Sequence, residues 1–192
     1  RFLPISKSIP KEMLPIVDKP VLQYVVEEAL TAGIDDLLIV INAAKTSIPA
    51  HFAPQPELES ALEKSGKLDL LESLRAIGRG ARIQYVIQPE QAGLGDAIRH
   101  GRQHAGADPF AVLLGDTIIK SPASGPTGLQ QLLQVYQAKS QAHQPCSVVA
   151  VRHVPRALIS RYGIVAGQVD PGDPDNLWHL QRLIEKPAPD SA

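Results

Sequence analysis

Apolar positions recur along the chain with two alternating periods. In "PVLQYVVEEALTAGI", Val21, Leu22, Val25, Val26, Ala29 and Leu30 repeat at three- and four-residue intervals, which places them on one helical face. Pro20 suits the first turn, where its missing N–H costs nothing, and Gly33 suits the stop. "DDLLIVIN" follows, a continuous apolar run that predicts a strand buried on both faces. Residues 57–77 predict two helical pieces broken near Gly66. "RIQYVIQ" predicts a strand, "GDAIRHGRQHA" a helix and "FAVLLGD" a further strand. "GLQQLLQVYQAKSQ" predicts a helix and "CSVVAVRHV" a strand. "RYGIVAG" and "LWHLQRLIEKP" predict two more strands, joined by the turn-rich "DPGDPDN".

Strand–helix alternation predicts an α/β fold: a Rossmann-like, mixed but mostly parallel sheet flanked by helices, with right-handed crossovers. Such sheets take their ligands at the carboxyl ends of the strands. That places the expected site after Gln88 and after Leu114. No internal repeat or low-complexity tract interrupts the pattern. The 192 residues therefore predict a single domain, residues 1–192, large enough to bury a real core.

Charge narrows the partners. Nineteen basic and 20 acidic residues leave a net charge of −1, with no basic field to drive nucleic-acid or membrane-surface binding. No apolar run reaches the ~18 residues that a membrane span needs. No charged-plus-apolar leader is visible. Cys146 is the single cysteine, which excludes an internal disulfide and fits a reducing, cytoplasmic setting.

Four short stretches offer chemistry, each with a plainer reading beside it. In "VLLGDT", Asp116 ends an apolar strand; a carboxylate there suits Mg²⁺ on substrate phosphates, or simply caps a turn. In "QPEQAGLGDA", Gly93 and Gly95 let the backbone approach a ligand, and the Gln88 amide could read a base edge. The same letters also make an ordinary strand-to-helix turn. "LIEKP" sets Glu185, an acceptor for sugar hydroxyls, beside Lys186, a point charge for a phosphate. Neighbours on a strand face opposite ways, so both can serve one ligand only if the strand ends there, as Pro187 suggests; otherwise they are a solvated pair. In "SIPKEMLP", Pro10 and Pro15 stiffen the loop that carries Lys11, either a phosphate-binding lysine or an exposed one. The six histidines are read as showing no metal spacing such as H-x-H or H-x-x-x-H, and Cys146 as a buried structural thiol.

In order and spacing, these stretches resemble the bacterial UTP–glucose-1-phosphate uridylyltransferases (UDP-glucose pyrophosphorylases) of the sugar-nucleotidyltransferase superfamily. "RFLPISKSIPKEMLPIVDKPVLQYVVEEAL" carries the likeness almost continuously, and "QPEQAGLGDA", "LLGD", "YGIV" and "EKP" follow in family order. The helical insertion "SIPAHFAPQPELESALEKSGKLDLLESL" is similar to that of the uridylyltransferase branch rather than the thymidylyltransferases, which have a shorter connection. The resemblance implies a strand and a G-x-G-T-R phosphate loop ahead of Arg1, which looks like that motif's last letter. It also implies a further segment beyond "EKP" bearing an aspartate that assists the metal, so the 192 residues alone are expected to be inactive. Thr117 stands where some relatives carry a second acid.

Carried over residue by residue, the resemblance implies these roles. Arg1 and Lys11 contact the nucleotide phosphates, Gln88 and the Gly93 backbone recognise uracil, and Asp116 binds Mg²⁺. Gly163 and Glu185 hold glucose hydroxyls, and Lys186 holds the phosphate of glucose-1-phosphate. The implied partners are UTP and glucose-1-phosphate, and the implied assembly is a homo-oligomer, dimer or tetramer. A thymidylyltransferase and a non-catalytic nucleotide-sugar-binding domain are the competing readings.

Overall fold

The computed structural model describes residues 3–122, 124–140, 146–173 and 177–188. The chain divides into two compact units, Arg1–Val148 and Val149–Ala192.

In the first unit, single 3₁₀ turns at Ile5–Lys7 and Lys11–Met13 lead into a small antiparallel hairpin, β1 (Pro15–Ile16) and β2 (Lys19–Pro20). Helix α1 (Val21–Thr31) follows at once, with Pro20 extended at its N-cap. It buries Val21, Leu22, Val25, Val26 and Ala29 of the predicted face, while Leu30 is only half-buried. Gln23 is buried with them because both ends of its amide are used, one donating to Glu27 at 2.9 Å and one paired with His51 at 3.0 Å. Gly33, at φ +83, turns the chain out of the helix.

Strand β3 (Asp36–Ile41) pairs in parallel with β4 (Arg82–Ile87), in register from Asp36↔Arg82 to Ile41↔Ile87. Helices α2 (Ser47–Phe52), α3 (Pro56–Lys64) and α4 (Leu68–Ala76) connect them. The predicted break falls where Gly66 adopts φ +70. Leu22 of α1, Ile41 of β3 and Ile48 of α2 form the core, with Met13, Ile39, Phe52 and Tyr85 packed against it. Each such buried aliphatic side chain contributes about 1.5–3 kcal/mol. Burial along β3 is lower than a strand covered on both faces would show: only Ile41 is fully buried. Among the described residues β4 alone flanks β3, so its other edge lacks a covering strand.

Helix α5 (Leu94–His100) and the short α6 (Arg102–Ala105) replace the single helix predicted there, the break falling at Gly101. Helix α7 spans Gly128–Ser140, as the periodicity predicts up to Gln141, which lies outside the described residues. The predicted strand at 110–116 does not form. Phe110, Val112 and Leu114 are exposed, and no described segment offers this run a ladder. A strand is made by its partner as much as by its own residues, so β-type composition alone does not produce one. The predicted strand at 146–154 fails for the same reason, leaving Val149 and Val151 exposed.

In the second unit a 3₁₀ stretch, Arg156–Arg161, leads into β5 (Gly163–Val169), which pairs antiparallel with β6 (Trp178–Glu185). The register slips between Ala166 and Gly167. There the backbone of His179 comes so near that a Cβ on Gly167 would stand 2.2 Å from its carbonyl oxygen; only glycine fits. Of the turn predicted over 170–176, residues 174–176 lie outside the described residues.

Candidate active site

Strands β3 and β4 run parallel, so the loops after Ile41 and after Ile87 leave from the same end of the pair. Asn42 opens the first loop, its side-chain oxygen accepting from the Ala44 amide at 3.1 Å, a local turn that sends the chain back over the strand end. Lys45 then reaches Glu12 at 2.7 Å. Glu12 follows Lys11 in a rigid 3₁₀ turn: Pro10 precedes it, the Met13 amide donates back to the Pro10 carbonyl at 2.8 Å, and Met13 packs against the core. The turn presents Lys11 to Asp116, with Nζ and Oδ2 2.5 Å apart.

Asp116 sits in a tight turn in which the Thr117 amide donates to the Leu114 carbonyl at 3.1 Å. Gly115 holds it close to the Lys11–Met13 turn: a Cβ at Gly115 would meet Glu12 Cγ and Leu22 Cδ1 at 3.3 Å. Lys11 and Asp116, two of the predicted site residues, are thus brought together. Glu12 and Lys45 join them, and nothing in the sequence reading singled those two out. Their pairing depends on a loop reversal at Asn42 that carries no spacing signal. One Glu12 oxygen, Oε2, is buried and has no hydrogen-bond partner among the described residues.

The second loop carries Gln88. Its backbone amide continues the ladder to the Ile41 carbonyl at 2.8 Å, and its side-chain amide turns into its own loop. Nε2 donates to Asp96 Oδ2 at 2.8 Å and faces the Gly93 carbonyl at 3.4 Å. Gly93 caps α5 at φ +97, ψ 179, backbone that only glycine adopts without strain. Gln88 and Gly93 therefore form one unit. Asp96, which the sequence reading passed over, is its third member. Asp96 also accepts from Arg99 at 2.7 Å and faces His100 at 3.5 Å. The hydrogen bond from Gln88, then that from Arg99, hold the Asp96 carboxyl below the usual carboxylate range.

Contrary to the sequence reading, two histidines do stand at the H-x-x-x-H spacing that suits a metal pair, His100 and His104. The break at Gly101 separates them, and each faces a carboxylate, Asp96 at 3.5 Å and Asp36 at 3.3 Å. Among the described residues no three or more His, Cys, Asp or Glu side chains gather as a metal cage. The donor set at Asp116 instead suits a hard divalent cation that takes one protein carboxylate and completes its shell with phosphate oxygens and water.

In the second unit, Gly163 lies directly across the ladder from Glu185, and a Cβ there would stand 3.1 Å from Glu185 Oε2. Strand β6 ends at Glu185. Lys186 then turns to φ +44, with its amide donating to the Tyr162 carbonyl at 3.1 Å. That bend removes the strand's alternation, and Lys186 Nζ comes within 3.4 Å of Glu185 Oε1. Gly163, Glu185 and Lys186 therefore meet at one exposed end of the hairpin. Arg1 lies outside the described residues.

The nucleotidyl transferase family matches residues 1–192, and the chain belongs to that family. It is 46 % identical over 188 residues to the UTP–glucose-1-phosphate uridylyltransferase of Staphylococcus haemolyticus, which covers 97 % of this chain and 61 % of that protein. Its likeness to the protein of the same name from Staphylococcus epidermidis is 44 % over 187 residues, again 97 % of the chain and 61 % of the relative. The chain thus spans about three-fifths of the length of these relatives. Among solved structures, a UTP-bound UGPase from Acinetobacter baumannii superposes with a TM-score of 0.88 at 37 % identity, covering all of this chain and 65 % of the other. A UDP-glucose pyrophosphorylase complexed with UDP-glucose gives 0.80 at 38 % identity, covering all of this chain and 66 % of that one. Among the described residues no helix is long and apolar enough to cross a membrane.

Proposed function

We propose that the protein transfers a uridylyl group from UTP to glucose-1-phosphate, giving UDP-glucose and pyrophosphate, and that residues 1–192 belong to one catalytic domain. The observation that carries this reading is the 46 % identity over 188 residues to a protein of that name. Its support is that Lys11 meets Asp116, Gln88 meets Gly93, and Gly163 meets Glu185 and Lys186.

The sugar phosphate is the nucleophile. A phosphate monoester has a second pKa near ~6, so it is mostly a dianion at neutral pH and needs no general base. The difficulty is bringing two anions together while pyrophosphate leaves in line. Lys11 and Arg1 hold the nucleotide phosphates, and Lys186 holds the phosphate of the sugar. Gly163 and Glu185 hold glucose hydroxyls. Gln88 and the Gly93 backbone read uracil. Asp116 holds Mg²⁺, which when bound supplies charge neutralisation at the phosphates. Fixed positive charge at each phosphate offsets the repulsion between the two anions and costs no reorganisation during transfer. The setting is cytoplasmic and the protein acts as a homo-oligomer.

The test is pyrophosphate release by the full-length protein with UTP or dTTP against a panel of sugar 1-phosphates. The reading requires turnover that is greatest with UTP and glucose-1-phosphate. Preference for dTTP, or no turnover with any pair, contradicts it.

A further inference from the structure

The Gln88 side chain has two ends, and the loop has already taken one. Nε2 donates to Asp96 Oδ2 at 2.8 Å and faces the Gly93 carbonyl at 3.4 Å. Both neighbours are acceptors only. Turned the other way, the amide would set its oxygen against a carboxylate and a carbonyl, neither of which has a hydrogen to give. The orientation is therefore fixed by chemistry. Both Nε2 hydrogens point inward, and Oε1 is the end left for a ligand.

Asp96 is the stronger of the two inward partners. Its side chain is only 16 % exposed, and Arg99 donates to its other oxygen at 2.7 Å. That second bond, from an exposed arginine, adds a modest preference for this carboxylate orientation. The carboxylate is an acceptor at neutral pH, and the hydrogen bond from Gln88 is the main cause of its lowered pKa.

We infer that Asp96 is a positioning residue: it holds the Gln88 amide with its oxygen outward, so that the base site selects nucleobases presenting a ring N–H. Uracil has such a donor at N3. Cytosine has an acceptor at the same place and would face Oε1 acceptor to acceptor. The inference rests on the reading that Gln88 meets the base, and it adds the residue that sets which edge Gln88 offers. It also predicts that thymine, which shares the N3–H, is not discriminated by this contact.

The isosteric variant Asp96→Asn changes the chemistry without changing the shape. Asparagine offers one oxygen and one NH₂ where aspartate offered two acceptors; where the NH₂ turns toward Gln88, Gln88 turns its own oxygen inward. Its NH₂ then faces the ligand. The measurement is calorimetric binding of UTP and of CTP to the full-length protein, wild type and variant, with thermal melting recorded alongside. Wild type should prefer UTP, and in Asp96→Asn the UTP-to-CTP affinity ratio should fall by about tenfold or more, the scale of one misplaced hydrogen bond. Asp96→Ala, which leaves only the more distant Gly93 carbonyl to orient the amide, should lower the ratio. Asp96→Glu, still acceptor-only, should keep the preference. A merely structural role would weaken UTP and CTP alike. An unchanged ratio in both Asp96→Asn and Asp96→Ala, in a wild type that prefers UTP, overturns the inference and leaves the proposed function standing. A wild type that binds no uridine nucleotide overturns both.

Discussion

Lys11 and Asp116 lie 105 residues apart in the chain, yet the ammonium of one rests 2.5 Å from the carboxylate of the other. The two sit on separate turns that are both anchored from below, one through Met13 in the core and the other through Gly115 against Leu22. In this arrangement Lys11 occupies the carboxylate that a cation would use. On the proposed function, substrate phosphates would draw the lysine away and free Asp116 for the cation.

Removing the competing ammonium should therefore act in two directions. Lys11→Met in the full-length protein should tighten Mn²⁺ at Asp116 in the absence of nucleotide, by up to about fivefold, since exposed ion pairs contribute roughly 0–1 kcal/mol. Turnover should fall in the same variant, because the lysine is needed on the phosphates. A metal titration showing weaker Mn²⁺ would mean that Lys11 helps rather than competes.

Lys186→Ala should weaken glucose-1-phosphate more than UTP. One lost charge-assisted contact is worth roughly 1.5–3 kcal/mol, or about one to two decades in affinity. Separate titrations of the two substrates decide it: an equal loss for both, or a loss for UTP alone, would remove Lys186 from the sugar phosphate.

Gly93→Ala places a side chain at φ +97, ψ 179, where the strain is of order 1–3 kcal/mol. Nothing lies within 4 Å of the new Cβ, so the cost is backbone strain and not a clash. UTP affinity should drop while glucose-1-phosphate affinity changes little. Denaturant midpoints should fall in step with the strain; an unaltered midpoint would show that the loop relaxes freely.

His51 gives the fold an acid limit. Burial pushes its pKa below the ordinary value near 6.5, and its ring pairs with Gln23 at 3.0 Å. The unfolded chain then binds more protons than the folded one over the window between the lowered pKa and 6.5. Its contribution is complete above that window and is lost as pH falls through it. Urea midpoints compared at about pH 8 and about pH 5 should drop more for wild type than for His51→Gln. An equal drop would clear His51 of the effect.

What could be read from the sequence was whatever local chemistry determines. The apolar face of α1, the break at Gly66 and the strands around the Gly163–Val169 hairpin follow from periodicity and from glycine's backbone freedom. The bend that lets Glu185 and Lys186 face one way was foreshadowed by Pro187. The strand predicted at 110–116 was not realised, because pairing is a property of two segments and the described residues supply only one. Glu12, Lys45 and Asp96 escaped for a related reason. Each matters through a contact that a loop reversal creates, Asn42 turning Lys45 onto Glu12 and Gly93 turning α5 back onto Gln88. Side chains such as these carry no spacing signature.

The most direct test of the proposed chemistry is Asp116→Asn in the full-length protein, with Mg²⁺-dependent turnover and UTP binding measured on the same sample. Asp116 is assigned to the cation and not to the base, so kcat should fall by about two to three decades, the scale of losing one preorganised electrostatic group. UTP affinity should stay within a few-fold of wild type, because Gln88, Gly93 and Lys11 remain. Near-normal turnover in the variant, or a loss of UTP binding as large as the loss of turnover, would contradict the account.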